Sequence, residues 1–368
     1  MDVATLLDVS PDEADALREY FDRATYEGRT YRRLSDARRG IERGTVLLED
    51  TVVRGFPSIP RVLVLETGIP TFFSGPLAVE EKLNGYNVRI ADVGEPLAFT
   101  RGGIVCPFTT TKARELLPLD AFFEDHPEKM LCAEFVGPEN PYTPHEYPGI
   151  SSLGVRVFDV RDRETGRPMP VRDRRDLLAE YEIPQPERFD VVDPESAPAS
   201  VRETIADLDE RGREGVVMQS MDGRDLLKYT TASTHASDLA FAFSLPFDYG
   251  RDFSFSRLVR EGFQAVEFEE SAAELEKRAH RLGEALLYPM VETIRDVRDG
   301  ERVGERHTVR ASPETVERTL DHLREQGIRV EIETDRTVDD QRVVEFVKVT
   351  DATRDTIEHY LEGGTIDE

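Results

Sequence analysis

The sequence is poor in cysteine and contains no long apolar segment. Its two cysteines, Cys106 and Cys132, belong to no CxxC motif and to no Cys/His pair, so neither a disulfide framework nor a zinc site is indicated. We expect two reduced thiols in or near strands. No apolar run approaches the roughly 18 residues of a membrane-spanning helix, and the first residues are acidic, without a basic leader. These absences predict a cytoplasmic protein that does not span a membrane.

Acidic residues greatly outnumber basic ones, with 74 Asp and Glu against 47 Lys and Arg and a formal net charge of −27. Such a charge repels itself and repels nucleic acid at ordinary ionic strength. At ~1 M salt the Debye length falls to about 3 Å and the repulsion is screened. The composition therefore favours a host that lives at high salt. The alternative is an acidic protein of an ordinary host, because acidity alone establishes solubility and not habitat.

The chain of 368 residues is too long for one ordinary core, which predicts several domains. We assign residues 1–60 to a small N-terminal α/β module, in which a capping box at Ser10 opens a helix to about Phe21 and two strands follow. From residue 61 to 235, short β-branched and aromatic runs alternate with Gly and Pro turns, which predicts a mixed α+β domain. Within it, residues 192–215 predict one helix.

The sequence after residue 235 predicts two further regions. Residues 236–302 are helical by pattern and carry an apolar stripe that packs against another helix, of the same chain or of a second copy. The stripe consists of Leu275, Ala279, Leu282, Leu286 and Met290. Residues 303–368 predict strand, helix, strand, strand and helix, with Ser312 as helix N-cap, and resemble a small ferredoxin-like α+β domain.

A lysine before a short turn is the sharpest local element. In EEKLNGYNVR, residues 80–89, Lys82 precedes Asn84 and Gly85. A match of this length also arises by chance, and alone it predicts only an Asn-Gly hairpin turn beside a solvated lysine. Further segments follow it in order along the chain. They are TRGGIVCPFTT with Arg101, LCAEFVGPENPY with Glu134, LGVRVFDV with Phe158, EGVVMQS with Glu214 and DLLKYTT with Lys228.

In this order the segments resemble the collinear motifs of polynucleotide ligases and capping enzymes, and most closely the homodimeric archaeal ATP-dependent RNA ligases. The resemblance covers residues 50–235 by motif. It implies a catalytic domain at 61–235 with an ATP-grasp-like, antiparallel-sheet nucleotidyltransferase core and a helical dimerisation region at 236–302. An archaeal source, taken with the acidic composition, predicts a halophilic archaeon. It also implies an enzyme that joins RNA 5'-phosphate and 3'-hydroxyl ends, circularisation included, through ligase-lysyl-AMP and RNA-adenylylate intermediates.

The resemblance also implies a role for each motif residue. Lys82 is the nucleophile that receives AMP from ATP, and Lys228 faces the α-phosphate. The nucleotide-binding residues that it implies are Glu81, Asn84, Gly85, Asn87, Arg101, Glu134, Phe158 and Glu214. Among them Phe158 stacks on adenine with Asp159 beside it, Arg101 and Glu134 approach the ribose, and Glu214 lies at the catalytic Mg²⁺ or Mn²⁺.

The scarcity of lysine supports two of these assignments independently. Lysine occurs at six positions, 82, 112, 129, 228, 277 and 348, and the other basic residues are arginines. A guanidinium stays protonated above pH 12 and cannot act as a nucleophile, whereas an amine can lose its proton when neighbours depress its pKa from about 10.4. The chain therefore keeps lysine at both positions where the implied mechanism needs an amine.

Departures from the wider superfamily narrow the prediction. Thr230 stands where the fifth motif often carries a second lysine, which leaves the second phosphate-contacting cation open. Asn84 and Asn87 stand where many DNA ligases have Asp and Arg, and helices rather than OB-fold strands follow residue 235, so an RNA ligase is favoured. A DNA ligase or capping enzyme is one alternative. A non-catalytic nucleotide- or RNA-binding module is another, although no motif residue is lost.

Two segments before the motifs allow two interpretations each. The arginine-rich stretch 31–43 is interpreted either as a solvated amphipathic helix or as a segment that holds RNA phosphates. RGFPSIPR, residues 54–61, resembles the aromatic-proline segment that precedes the nucleophile in RNA ligases, and a proline-rich connector is the alternative. The histidines are scattered without metal-ligand spacing.

Overall fold

The computed structural model describes residues 3–365. Its N-terminal module packs two short helices on an antiparallel sheet in which each strand pairs with the next. The elements are α1 (Val3–Leu7), α2 (Pro11–Arg18), β1 (Phe21–Tyr26), β2 (Arg29–Leu34), β3 (Val46–Leu48) and β4 (Thr51–Val53). The predicted capping box at Ser10 is present, but the helix ends at Arg18 instead of Phe21. Phe21 is buried and pairs with Leu34 of β2, so sheet formation stops the helix.

The arginine-rich stretch 31–43 is not a helix. Its first part belongs to β2, where Tyr31 and Leu34 are buried and Arg32 and Arg33 pair with β3. The rest forms a turn closed by a bridge between Arg38 and Ile41. The helical alternative is therefore wrong, because this segment contributes buried side chains to a sheet.

The central region contains two four-stranded antiparallel sheets, with orders β10-β5-β11-β12 and β7-β6-β8-β9. Its strands are β5 (Leu77–Lys82), β6 (Tyr86–Asp92), β7 (Pro96–Thr100), β8 (Lys129–Val136), β9 (Gly154–Asp162), β10 (Arg188–Val192), β11 (Gly215–Ser220) and β12 (Leu226–Thr230). Its helices are α3 (Leu65–Phe72), α4 (Pro107–Leu116), α5 (Leu119–Asp125), α6 (Val171–Glu180) and α7 (Ala197–Glu210). The mixed fold with antiparallel sheets is thus the predicted one.

Asn84 and Gly85 do not form the hairpin that an Asn-Gly pair predicts in isolation. They connect β5 of one sheet to β6 of the other, and these two strands do not pair. A Cβ atom on Gly85 would lie 2.2 Å from the carbonyl oxygen of Phe135, so this glycine is required by close packing. The connection brings the end of β5 to the cleft between the two sheets.

Two of the central helices test the sequence-based expectations. The helix predicted within residues 192–215 is confirmed as α7, which buries Val201, Ile205 and Leu208. The run around residue 65 reads as a strand but forms α3. The backbone N–H groups of Leu65 and Glu66 at the start of α3 donate to the Glu267 carboxylate, 3.1 Å away at Glu66. This cap comes from a distant part of the chain, which local sequence does not reveal.

Helices follow the motif region, as predicted. They are α8 (Ala232–Ser244), α9 (Arg251–Glu267) and α10 (Ala272–Arg298). α8 packs on α9 and α10, but the predicted stripe on α10 is only partly covered, since Leu275 is 52% exposed and Leu282, Leu286 and Met290 are half-buried. Other apolar residues of α9 and α10 are also exposed, including Val266 at 79% and Leu287 at 57%.

The C-terminal region has the predicted element order. It contains β13 (Gly304–Ala311), α11 (Pro313–Glu325), β14 (Val330–Val338), β15 (Gln341–Val349) and α12 (Asp351–Leu361), with sheet order β13-β15-β14. Ser312 caps α11 as expected. Cys106 and Cys132 are buried free thiols, Cys132 in β8 and Cys106 at the start of α4. Among the described helices, none is long and apolar enough to cross a membrane. The domain boundaries stay predictions.

Candidate functional site

A cavity opens between the two central sheets, and most of the predicted site residues meet there. It is lined by Phe56, Pro57, Ile59, Glu80, Glu81, Lys82, Leu83, Asn87, Arg101, Glu134, Phe158, Asp159, Pro186, Val217, Gln219, Leu226 and Lys228. Alternation along β11 and β12 turns Val217 with Gln219, and Leu226 with Lys228, to the same side of their sheet. Asn84 and Gly85 lie in the connection beside the cavity, and neither they nor Glu214 are among its lining residues. Glu214 contacts the lining residue Lys82.

Lys82 is held by a direct ion pair. Its Nζ lies 2.6 Å from Oε1 of Glu214, and both side chains are mostly buried. The pairing of Lys82 with Gly215 across β5 and β11 places Glu214, one residue earlier, beside the lysine. Oε2 of Glu214 is buried and has no hydrogen-bond partner among the described residues. The amine is therefore oriented, and one carboxylate oxygen remains available to a ligand.

Lys228 lies on β12, opposite Val217 of β11. The strand-like segment before α3 fixes its backbone, since Lys228 N donates to Pro60 O at 3.0 Å and Lys228 O accepts from Val62 N at 3.2 Å. Burial first and the charge of nearby Arg61 second lower the pKa of Lys228 to about 8. This ammonium group thus titrates close to neutral pH in the free protein.

Glu134 and Asn87 face each other on paired strands. Asn87 Nδ2 donates to Glu134 Oε2 at 3.4 Å. Burial, opposed by the nearby charge of Lys82 and reinforced by that of Glu214, raises the pKa of Glu134 to about 7. Glu134 can therefore gain or lose a proton near neutral pH.

An aromatic corner closes one end of the cavity. The rings of Phe56 and Phe158 meet edge to face with centroids 5.3 Å apart. Arg174 Nη1 donates to the Phe158 carbonyl at 2.5 Å and to Gln219 at 2.9 Å, which ties this end to β11. Asp159 lines the cavity and accepts from Arg161 at 2.6 Å. The corner offers an apolar surface to a flat ring.

Buried ion pairs form the wall beneath the cavity, and sequence reasoning missed their arginines. Arg174 Nη2 contacts both oxygens of Glu80, at 2.5 and 2.6 Å. Glu81 is paired with Arg213 and accepts from the Tyr147 hydroxyl at 2.9 Å. The carboxylate of Glu81, which the resemblance implied as nucleotide-binding, is therefore already engaged by protein groups. No local signal reveals such partners, because they are distant in sequence.

Arg101 stands exposed at the mouth of the cavity, where a second groove begins. The groove shares Phe56, Pro57 and Arg101 with the cavity and is lined further by residues 37–43 and Ser58. Among the described residues, no carboxylate lies within 4 Å of the guanidinium groups of Arg38, Arg39, Arg43 and Arg101. Unpaired cations therefore border the route from the cavity to the N-terminal module.

The sequence matches two families of known proteins. Residues 75–230 match the RNA ligase family, and residues 241–364 match the family described as the ligase Pab1020 C-terminal region. An uncharacterised protein of Methanocaldococcus jannaschii is 42% identical over 339 residues, 88% of this chain and 86% of that protein. The similarity therefore includes both the motif region and the helical and C-terminal regions.

Solved structures are similar over nearly the whole chain. An archaeal ATP-dependent RNA ligase is 41% identical with a TM-score of 0.92, covering 99% of this chain and 98% of its own. A structure from Aquifex aeolicus, provisionally described as an ATP-dependent DNA ligase, is 27% identical with a TM-score of 0.90, covering 97% and 100%. Of these two, the archaeal structure is the more similar in sequence.

Proposed function

Because the chain belongs to the archaeal ATP-dependent RNA ligase family, we propose that it joins RNA 5'-phosphate and 3'-hydroxyl ends, with Lys82 as the residue that carries AMP. The observation that carries this assignment is that Lys82, which forms an ion pair with Glu214, lines the same cavity as Lys228 and Phe158. These groups match the needs of lysine adenylylation, which are an oriented amine, a phosphate-facing cation and a surface for adenine.

In the first step, ATP binds with adenine against Phe158 and its α-phosphate between Lys82 and Lys228. Nζ of Lys82 attacks the α-phosphorus, an N–P bond forms, and the bond to the pyrophosphate oxygen breaks. Glu214 orients the amine, and Glu134, with a pKa near 7, is suited to receive the proton that the amine loses. Lys228 offsets charge on the α-phosphate.

Two further steps complete the joining reaction. The RNA 5'-phosphate attacks the lysyl-AMP, which transfers AMP to the RNA and frees Lys82. The RNA 3'-hydroxyl then attacks the adenylylated phosphate and releases AMP. When both ends belong to one molecule, the product is a circle. We expect this chemistry in the cytoplasm of a host that lives at high salt.

A divalent cation, Mg²⁺ or Mn²⁺, fits beside Glu214. The described residues contain no group of three His, Cys, Asp or Glu side chains that could form a complete protein cage. Mg²⁺ usually needs only one or two carboxylates, because substrate phosphates and water supply the other ligands. The unpartnered Oε2 of Glu214 is suited to hold such an ion, which would neutralise phosphate charge when bound.

The test of this function is covalent labelling with α-labelled ATP and magnesium in high salt, followed by a denaturing gel. Wild type and Lys277→Ala, which removes an exposed lysine of α10, should both be labelled. Lys82→Ala and Lys82→Arg should not be labelled, because neither variant presents a nucleophilic amine. A folded, initially AMP-free wild type that takes up no label would contradict the proposal.

The groove at residues 37–43 is the proposed path for RNA. Its arginines lack carboxylate partners and continue to Arg101 at the mouth of the cavity. At high salt, contact charges rather than net charge govern phosphate binding, so the groove can hold RNA on an acidic protein. The arginine-rich stretch thereby keeps its predicted role, although it is not a helix.

We further propose that the protein acts as a homodimer through α9 and α10. The exposed apolar residues there include Phe255 at 66%, Val266 at 79% and Tyr288 at 57%. A twofold interface of facing helices would bury them. Sedimentation should give twice the chain mass, and Leu287→Glu should shift it toward the monomer.

A further inference from the structure

Pairing between β11 and β12 orders the cavity from the base end to the phosphate end. Gln219 pairs with Leu226, and Val217 pairs with Lys228, and all four residues line the cavity. Arg174 donates hydrogen bonds both to Gln219 and to the carbonyl of Phe158, so Gln219 lies at the end of the cavity where adenine is proposed to bind. The strands therefore run from adenine toward the lysines.

The next pair along these strands joins Gly215 to Thr230. Gly215 also pairs with Lys82 of β5, so Lys82, Gly215 and Thr230 form one row across three strands. Neighbouring strands lie about 4.8 Å apart, which puts the backbones of Lys82 and Thr230 roughly 10 Å from each other. Glycine leaves the space between them free of side chains.

Arg61 occupies the far end of this row. Its Nη1 donates to Oγ1 of Thr230 at 2.5 Å. The same hydroxyl meets Nε2 of His235 at 2.6 Å, and Nδ1 of His235 meets Glu261 at 2.6 Å. A neutral His235 can donate from Nδ1 to Glu261 and accept at Nε2 from the Thr230 hydroxyl. Burial lowers the pKa of this imidazole, which favours the neutral form. Thr230 is thus fixed as an acceptor for Arg61.

Arg260 of α9 joins Arg61 around a small cavity that Thr230 and His235 also line. Among the described residues, no carboxylate lies within 4 Å of either guanidinium group. Burial first and the charge of Arg260 second lower the pKa of Arg61 to about 10. The charges of Glu214 and Asp238 favour both cations from beyond 4 Å, but neither carboxylate forms a direct ion pair with them. A bound anion would supply the direct partner that these partly buried cations lack.

We propose that Arg61 and Arg260 bind the β- and γ-phosphates of ATP and the pyrophosphate that leaves. The proposal rests on the proposed function. An α-phosphate above Gly215 would have Lys82 on one side and Arg61 on the other. In-line displacement needs the attacking nitrogen and the leaving oxygen on opposite sides of phosphorus. As the N–P bond forms, the electron pair of the breaking P–O bond passes to pyrophosphate, whose charge these arginines stabilise.

Two reactions distinguish whether Arg61 and Arg260 bind pyrophosphate or RNA. Adenylylation of the protein by ATP needs the leaving group, whereas joining of chemically pre-adenylylated RNA does not. Arg260→Gln and Arg61→Gln should each lower kcat/KM for adenylylation by about 10- to 100-fold. Attack of pyrophosphate on the lysyl-AMP should slow similarly. Joining of pre-adenylylated RNA should change less than about twofold.

Controls keep the outcomes distinct. Arg251→Gln removes an exposed arginine of the same helix and should leave all three reactions unchanged. Arg61→Lys should restore part of the adenylylation, and thermal unfolding identifies a variant that fails to fold. Equal loss of adenylylation and of pre-adenylylated RNA joining would overturn the proposal, as would full activity of Arg260→Gln. Failure of wild type to form lysyl-AMP would instead overturn the proposed function.

Discussion

Arginine has opposite surroundings in the wall beneath the nucleotide cavity and around its rim. In the wall, Arg174 and Arg213 are matched by Glu80 and Glu81 in buried ion pairs. At the rim, the groove arginines, Arg61 and Arg260 have no carboxylate within 4 Å among residues 3–365. A chain with 74 acidic residues does not lack partners for them. Glu214 and Asp238 act on Arg61 and Arg260 only from beyond 4 Å, so a bound ligand would supply the direct anionic partner that the rim cations lack.

Removing a wall arginine gives the largest expected effect and tests the first half of this comparison. Arg174→Gln leaves Glu80 buried with only Arg175, which contacts it at 2.9 Å. Breaking a buried pair leaves charge uncompensated and lowers the free energy of unfolding by about 3–5 kcal/mol. Denaturant unfolding in high salt measures it. Arg260→Gln is the control at the rim. If it lowered the free energy of unfolding as much as Arg174→Gln does, the wall and rim arginines would not differ in their contribution to stability.

The rim should respond to pH through Lys228. Its pKa is lowered to about 8 by burial first and by Arg61 second, so the ammonium is present below pH 8 and lost above it. Affinity for ATP should fall up to about tenfold between pH 8 and 9, since a phosphate-binding charge disappears. Titration with a non-reacting ATP analogue measures this change. Lys228→Arg stays charged and should flatten the profile; an unchanged slope would remove Lys228 from the phosphate site.

Removing the positive charges of the groove should give the smallest effect, a change in how RNA affinity depends on salt concentration. Arg38→Gln, Arg39→Gln and Arg43→Gln together should leave Lys82 adenylylation unchanged but weaken RNA binding. Each lost phosphate contact reduces the slope of log affinity against log salt by about 0.7. Filter binding of single-stranded RNA at several salt concentrations measures it. Arg188→Gln, an exposed arginine on β10, is the control, and a slope unchanged by the triple variant would place RNA elsewhere.

The sequence predicts elements well where local pattern and tertiary packing agree. The order of β13 to α12, the caps at Ser10 and Ser312, and the helix α7 are confirmed. Each has a local cap or a periodic apolar face that tertiary packing reinforces. The motif segments also fall on or beside strands around one cavity, while the chemical role of each residue stays a prediction.

The failures share a tertiary cause. α3 begins where Glu267, some 200 residues away in sequence, accepts from its first N–H groups. Gly85 lies in a connection between two sheets and not in a hairpin. Glycine is needed there because the Phe135 backbone leaves no room for a side chain. The partners of Glu80 and Glu81, and the approach of Arg61 to Thr230, likewise depend on contacts between distant segments. Residue spacing and secondary-structure propensity do not predict contacts between segments that are distant in sequence.

The helix α9 has a consequence for how small this protein can be made. Its residues Arg260 and Glu261 complete the surroundings of Thr230 through His235, although they follow the last motif by about 30 residues. A fragment cut at residue 235 would carry every recognisable motif and still lack this side of the phosphate end. The part of the chain needed for activity is therefore longer than the part that carries the motifs, and shortened versions of the protein should retain α9.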